Sequence, residues 1–302
     1  MKSLQNKETL ATAALLCAGI LGGLAPIAAK ILLRELPPFT LTFFRYSIAL
    51  VVILPLFYRF ARTIAIHWKQ LILVSVCFSG NIFFFILGIG HTTSALSQLL
   101  YAGVPILMLF EQAVVTKIPI QTKHLLGVFL GVFGTIIIVF HQADGGVGLG
   151  TSYGNTLLLF ATVCWSLYLL ITKRVSQHVT PLAITTTASF LTWVLSIPAM
   201  FLFEGNQLST IFSLSLLGWL TLLFIGLVLS IVMWYLYNFG IKHGSTLLTS
   251  SIVYVNTATA GIAGYVVFGE KITSSFFLGG AFLISGVYLI SRKKSSTGKT
   301  AI

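Results

Sequence analysis

About ten apolar runs, each close to twenty residues long, follow one another along this chain. A helix needs roughly 20 predominantly apolar residues to cross the hydrocarbon of a bilayer. The runs are Leu10 to Leu33, Phe39 to Phe60, Leu71 to Gly90, Ser94 to Val115 and His124 to Phe140. After a Gly-rich stretch, Asp144 to Gly150, come Tyr153 to Thr172, Leu182 to Phe203, Ser213 to Phe239, Thr246 to Phe268 and Phe276 to Ser291. The eighth is long enough to begin with an interfacial segment. The only other spanning design is a closed barrel, because lipid offers backbone groups no hydrogen-bond partners. A barrel alternates polarity along short segments, and runs such as Leu125 to Phe140 do not. The expected class is an all-α integral membrane protein of ten transmembrane helices.

Composition agrees. Of 302 residues, 57% are hydrophobic and only 8% charged, whereas a soluble domain keeps roughly a quarter charged. Most of the exterior is therefore expected to face lipid. The net charge of +12 does not point to nucleic acid, because the basic residues form short clusters between apolar runs instead of one exposed face. That clustering fits the positive-inside rule. With a cytoplasmic N-terminus, fourteen of the 18 Lys and Arg fall on inside segments, among them Lys2, Arg59, Lys123, Lys173 and Lys242. Only Lys30, Arg34 and Lys271 fall outside, with Arg45 just within the second helix. Both termini are expected to be cytoplasmic, in a multi-pass protein of the cell membrane. The first run is longer than a signal-peptide core, so it is expected to be retained despite Ala28 and Ala29. Cys17, Cys77 and Cys164 each lie inside an apolar run with no metal-ligand spacing, and read as packing residues.

The chain also matches itself. At an offset of 143, Lys30 meets Lys173, Pro38 meets Pro181 and Pro55 meets Pro198. At an offset of 152, Gly88 meets Gly240, His91 meets His243, Gly127 meets Gly279 and Gly134 meets Gly286. Extra residues between Glu204 and Phe212 account for the change. Residues 1–144 and 145–302 thus read as two five-helix repeats. Five is odd, so the second repeat enters the membrane inverted, an arrangement found in secondary transporters with a midplane site.

At these residues the chain resembles the EamA-type ten-helix members of the drug/metabolite transporter superfamily. Lys30 to Arg45 is similar to the family's segment joining its first two helices, and Gly90 to Pro105 to the motif opening its fourth. Gly240 to Asn256, followed by Gly269 to Thr273, and Trp165 to Lys173 resemble the corresponding motifs of the second repeat. The resemblance covers nearly the whole chain. Two positions depart from the family pattern: Gly22-Gly23 stands where Trp-Gly is common, and Ile118 where Glu is common. The resemblance implies export or exchange of small metabolites, often amino acids, without ATP.

Helical spacing suggests where a site would form. In the fourth helix Ser94, Gln98, Tyr101, Pro105 and Gln112 fall on one stripe, and Pro105 frees the carbonyl near residue 101. In the ninth, Thr249, Asn256, Ala260 and Gly264 make a small or polar counterpart. Interrupted or Gly/Pro-rich segments at matching positions of two repeats point to a transport site; interhelical packing is the competing reading. Trp165 and Tyr168 share a face of the sixth helix, Trp234, Tyr237 and Asn238 one of the eighth, and Asn81 adds a polar group from the third. The expected substrate-binding set is Asn81, Gln98, Tyr101, Trp165, Tyr168, Trp234, Asn238 and Asn256, an uncharged cavity suited to a zwitterion. A place in the interfacial aromatic belt is the alternative for each Trp and Tyr.

Charged residues inside a membrane are functional candidates. Glu111 is a candidate proton carrier, although it lies about 100° off the polar stripe and within reach of Lys117 or Lys123. Lys30 and Arg45 sit near outer helix ends, placed to snorkel or to gate. His91 and His243 fall at opposite ends and cannot share a metal. Gly19 and Gly23, like Gly127 and Gly131, fit close helix packing. No cofactor is expected, and the partners are a small-molecule substrate and the bilayer, with a homodimer left open. A nucleotide-sugar or phosphorylated-metabolite exchanger is the rival within the superfamily, distinguished by basic residues in the cavity. An intramembrane enzyme on lipid-linked substrates would need clustered catalytic groups, which six scattered acids do not supply. There is no Gly-Lys-Ser/Thr phosphate loop for ATP and no ring-forming charged motif for a channel.

Overall fold

A computed structural model describes residues 2–92, 97, 100–115, 120–141, 151–268 and 274–291. Every regular element among them is a helix: α1 (Lys2–Leu32), α2 (Pro38–Ile66), α3 (Trp68–Ile89), α4 (Val104–Val115), α5 (Thr122–His141), α6 (Ser152–Val175), α7 (Pro181–Glu204), a 3₁₀ stretch (Gly205–Ser213), α8 (Leu216–Leu223), a π-helical segment (Phe224–Met233), α9 (Trp234–His243), α10 (Thr246–Ser251), α11 (Val253–Phe268) and α12 (Ser274–Ser291). Six stretches are long and apolar enough to span a bilayer: Lys7–Leu32, Pro38–Pro55, Trp68–Ile89, Ser152–Val175, Pro181–Glu204 and Leu216–His243. Shorter apolar helices run over Thr122–Ile137 and Phe277–Ile290. The chain is thus a multi-pass membrane protein.

Local chemistry sets the helix starts. Pro38 and Pro181 open α2 and α7 at the position where a missing N–H costs nothing. Thr151, Thr180, Ser215 and Ser245 each accept a hydrogen bond from the backbone N–H three residues on, capping α6, α7, α8 and α10. The outward faces are apolar, with Val51, Leu202 and Ile284 more than 70% exposed. The interior holds Tyr46, Phe78, Tyr168 and Tyr254, together with many hydroxyls. Those of Thr162, Thr185, Thr187 and Thr192 donate to carbonyls four residues back, so few are left unsatisfied.

The eighth run differs from expectation. From Leu216 to His243 it is one continuous helix, and the separate surface segment is the 3₁₀ stretch upstream. Its middle widens into the π form, where the Ser230 hydroxyl donates to the carbonyl of Ile225, five residues back, at 2.9 Å.

The principal packing pairs are α1 with α11, α2 with α7, α3 with α6, and α5 with α12. Glycines let the helices approach. A Cβ on Gly127 would lie 2.9 Å from the carbonyl oxygen of Gly286, and one on Gly286 would lie 2.6 Å from that of Gly127. A Cβ on Gly134 would meet the Gly279 carbonyl at 2.5 Å. Gly131 faces the ring of Tyr254, and Gly19 and Gly23 sit against Val255 and Thr259 of α11. The close-packing role expected for these four glycines is what their surroundings require.

Candidate functional site

A cavity of about 100 Å³ lies at mid-helix, where α1, α2, α3, α6, α9 and α11 converge with Tyr101. One water needs about 10–15 Å³ by this measure, so it holds several waters or part of a small organic molecule. Its α1 wall is made of small groups, Ala18, Gly22 and Ala25. Gly22 makes room for Asn256: a Cβ there would stand 3.0 Å from the Asn256 side chain. At Gly23 the α11 backbone comes within 2.6 Å of a Cβ position. The facing wall is aromatic. Trp165 packs against Trp234 with centroids 5.5 Å apart and against Tyr237 at 5.0 Å, and Phe85 lies edge-on to Tyr101.

Three uncharged polar side chains reach the cavity. Asn81 donates through Nδ2 to the Tyr101 hydroxyl at 2.5 Å and to the Ala161 carbonyl at 2.9 Å. Asn256 is satisfied when its amide nitrogen donates to Gly19 O at 2.8 Å and Ile252 O at 3.3 Å, which ties α11 to α1. The third is Tyr101, which precedes a break: residues 102 and 103 form a turn, and Val104 restarts the helix one residue before Pro105. The ninth run breaks too, at Ile252. There the hydroxyls of Ser250 and Ser251 donate to the Leu247 carbonyl, and the Thr249 carbonyl accepts from Tyr237 at 2.7 Å. Side-chain competition for helix carbonyls bends helices at such points.

Arg45 corrects the expectation of an uncharged cavity and of a side chain snorkelling to the surface. It is 9% exposed and lines the cavity. Its Nε donates to Ser230 Oγ at 2.7 Å, and its guanidinium sits 5.1 Å from the centre of the Tyr46 ring. The reason is tertiary. Gly226 lets the π-helical segment close onto α2, where a Cβ would be 2.8 Å from Ile48 and 3.1 Å from the Arg45 carbonyl. At that approach Ser230 lies within hydrogen-bond reach of Arg45 Nε and holds the side chain inside.

Tyr168 and Asn238 are not among the cavity's lining residues; each lies about a turn beyond the lining residues Trp165 and Trp234, toward the helix ends at Val175 and His243. The Tyr168 hydroxyl donates to Asn238 Oδ1 at 2.6 Å, and Asn238 Nδ2 donates to Thr185 Oγ1 at 3.0 Å. Trp165 stacks on Tyr168 at 5.1 Å. Further toward those ends Lys173 donates to the carbonyls of Ile241 at 2.7 Å and Gly244 at 2.5 Å, capping the end of α9. Lys173 is therefore not a cavity cation.

The EamA-like transporter family matches the chain twice, over residues 9–140 and 152–292. The chain belongs to that family. The transporter is similar to the uncharacterized transporter YetK of Bacillus subtilis (strain 168), 26% identical over 298 residues that cover 96% of this chain and 89% of the relative. It is also similar to an uncharacterized transporter of Archaeoglobus fulgidus, 22% identical over 269 residues, 88% of this chain and 91% of that one. A solved crystal structure shares the fold with a TM-score of 0.77 at 20% identity, covering 93% of this chain and 96% of the other.

Of the substrate-binding set predicted for this EamA-like transporter, Asn81, Tyr101, Trp165, Trp234 and Asn256 come together around one cavity. Gln98 and Ser94, and the side chains of Glu111 and Gln112, lie outside the described residues. Lys30 is not among the cavity's lining residues. Sequence reasoning missed Phe85 and Met233, whose apolar side chains carry no signal in an apolar helix. It also missed Tyr46, buried behind Arg45. The Tyr46 hydroxyl and the Trp234 indole N–H neighbour each other, and neither has another hydrogen-bond partner among the described residues. Among the described residues no group of three His, Cys, Asp or Glu is placed to hold a metal. A second cavity, with Arg59, Lys242 and His243 in its wall, lies between α2, α7 and α9 near their basic ends and includes none of the predicted residues.

Proposed function

We propose that this transporter is a secondary carrier of a small organic metabolite, an amino acid or related compound, moved outward by alternating access between two inverted five-helix repeats. The observation that carries the reading is the mid-helix cavity. Both halves of the chain line it, and we read the hydrogen-bonded layer of Tyr168, Asn238 and Thr185 beside it as closing one end. A binding pocket closed to one side is one of the two states that alternating access needs.

Reciprocal packing supports the inverted repeat of ten helices. Gly127 and Gly134 correspond to Gly279 and Gly286 at an offset of 152, and the contacts are exchanged: Gly127 meets Gly286 while Gly134 meets Gly279. Leu15 and Leu158 correspond at an offset of 143, and Gly240 packs on Leu15 while Gly88 packs on Leu158. Exchanged partners are the mark of a two-fold relation. The repeat boundary at 144/145 lies outside the described residues. At cavity level Gly22 and Ala25 of the first repeat correspond to Trp165 and Tyr168 of the second. Small groups leave the cavity open on one side, and their bulky counterparts fill the related space on the other.

The nucleotide-sugar or phosphorylated-metabolite reading draws on Arg45 alone, since Lys173 is spent on carbonyls and Lys30 does not line the cavity. The test is thermal unfolding of the full chain in nanodiscs against amino acids, nucleosides, sugar phosphates and polyamines, followed by counterflow in proteoliposomes. A ligand of the folded state raises the melting temperature. Stabilisation and counterflow by amino acids or related acids, lost in Trp165→Ala, is the expected result. A response to phosphorylated compounds only replaces this reading with the exchanger.

A further inference from the structure

Arg45 is a buried cation without a counter-ion among the described residues. Glu204 is engaged by the backbone N–H groups of Phe39 and Thr40, and Glu35 by Ser215. A buried charge is costly unless it is paired, so this one calls for an anion from elsewhere. The guanidinium is also aimed. Ser230 spends its hydrogen on the Ile225 carbonyl and its lone pair on Arg45 Nε, and the Tyr46 ring lies under the group. This leaves the two terminal nitrogens, the fork that matches a carboxylate, without a hydrogen bond to the described residues, in a side chain that lines the cavity.

The surroundings complete the description. The Tyr101 oxygen accepts from Asn81, so its own hydrogen remains to donate. Trp234, beside Tyr46, adds its indole ring to the same wall. Apart from the amides of Asn81 and Asn256, the remaining wall is apolar and aromatic. We infer that Arg45 anchors a carboxylate, and that the transported molecule is a monocarboxylate with an apolar or aromatic body. One guanidinium neutralises one carboxylate, whereas a phosphate monoester near −2 would leave charge uncompensated. The inference rests on the central cavity being the transport site.

The experiment uses the full chain in nanodiscs with two isosteric pairs, phenylacetate against phenylacetamide and L-phenylalanine against L-phenylalaninamide, with phenyl phosphate as a fifth probe. Binding is read by melting temperature and tryptophan fluorescence. The expected result is that at least one acid binds about tenfold or more tightly than its amide, the preference of a charge-assisted hydrogen bond. Arg45→Gln brings the pair to within about twofold, and Arg45→Lys, which keeps the charge but loses the fork, falls between. Whether phenylacetate suffices tells a simple organic acid from an amino acid. Equal binding of acid and amide by the unaltered protein overturns the inference and leaves the cavity as a transport site; tighter binding of phenyl phosphate overturns it as well. Silence from all five probes alongside a response in the broader panel overturns it alone, and silence from both panels sinks the transport reading with it. The acid–amide comparison needs no variant, so a misfolded Arg45→Gln does not remove the test.

Discussion

Glu204 does its work far from its own place in the chain. Pro37, at the cap position of α2, has no side chain that can accept a hydrogen bond there. The Glu204 carboxylate arrives instead from the end of α7, accepting from Phe39 N at 2.9 Å, Thr40 N at 2.6 Å and Thr40 Oγ1 at 2.8 Å. It is buried, and a carboxylate at a helix N-terminus is favoured by the helix dipole. Glu204→Ala strands two backbone donors, and a loss of about 1–3 kcal/mol is expected, read as a lower melting temperature in detergent. Glu35 makes the analogous contact in an exposed position. Hydrogen bonds from the Ser215 N–H and then its hydroxyl hold the Glu35 carboxyl below the ordinary carboxylate range. A lowered folded-state pKa contributes stability above the unfolded value, and that contribution disappears as pH falls through the folded one. Melting curves between pH 6 and about pH 3 should therefore show an acid-side loss in the unaltered protein that Glu35→Gln lacks. A parallel pH dependence in both would remove Glu35 as its source.

At the scale of elements, glycines decide which helices touch and hydroxyls decide where they bend. Gly131 and Gly280 make a matched test. A Cβ on Gly131 would stand within 2.6 Å of three atoms of the Tyr254 ring, which is fully buried and donates to the Val128 carbonyl. A Cβ on Gly280 would meet nothing within 4 Å. Gly131→Ala is expected to cost about 1–3 kcal/mol through overpacking. Gly280→Ala should be neutral or gain up to about 1 kcal/mol from helix propensity. Equal melting temperatures for the two variants would contradict the α5–α11 packing. The bend at Ile252 is held in part by the Tyr237 hydroxyl on the Thr249 carbonyl. Tyr237→Phe keeps the aromatic wall and removes that bond, so ligand affinity should change by less than about threefold. Counterflow rates should change more, because the bend loses one of its ties; a reversed pattern would make Tyr237 a binding residue and not a tie of the bend.

For the whole molecule, the sidedness of the helix ends is the open quantity that most affects function. The loop with Glu35 and the α2 turn with Arg59 lie at opposite ends of α2. The asymmetry of Lys and Arg predicts Arg59 inside and Glu35 outside. In a background with Cys17, Cys77 and Cys164 replaced, Glu35→Cys should react with a membrane-impermeant maleimide on intact cells. Arg59→Cys should react only after permeabilisation. The opposite labelling would invert the orientation and with it the side to which the cavity is closed.

The apolar runs, the basic clusters and the offset repeats were legible in the sequence because each is a local or periodic property. Lipid permits only helices and closed barrels, so long unbroken apolar runs limit the fold to helices, and periodicity brought Asn81, Tyr101, Trp165, Trp234 and Asn256 forward together. Depth and direction were not legible. Arg45 reads as a residue near a helix end, and only the approach of Gly226 and the π-helical Ser230 turns it into the cavity. Tyr168 and Asn238 share helix faces with true lining residues, yet they bond to each other and lie outside the lining. Which of two polar groups on one face meets the substrate depends on what the opposing helix offers, and that partner is more than sixty residues away in sequence. The residue pattern determines that there is a polar interior; the packing of α2 against the π-helical segment determines that it carries a positive charge.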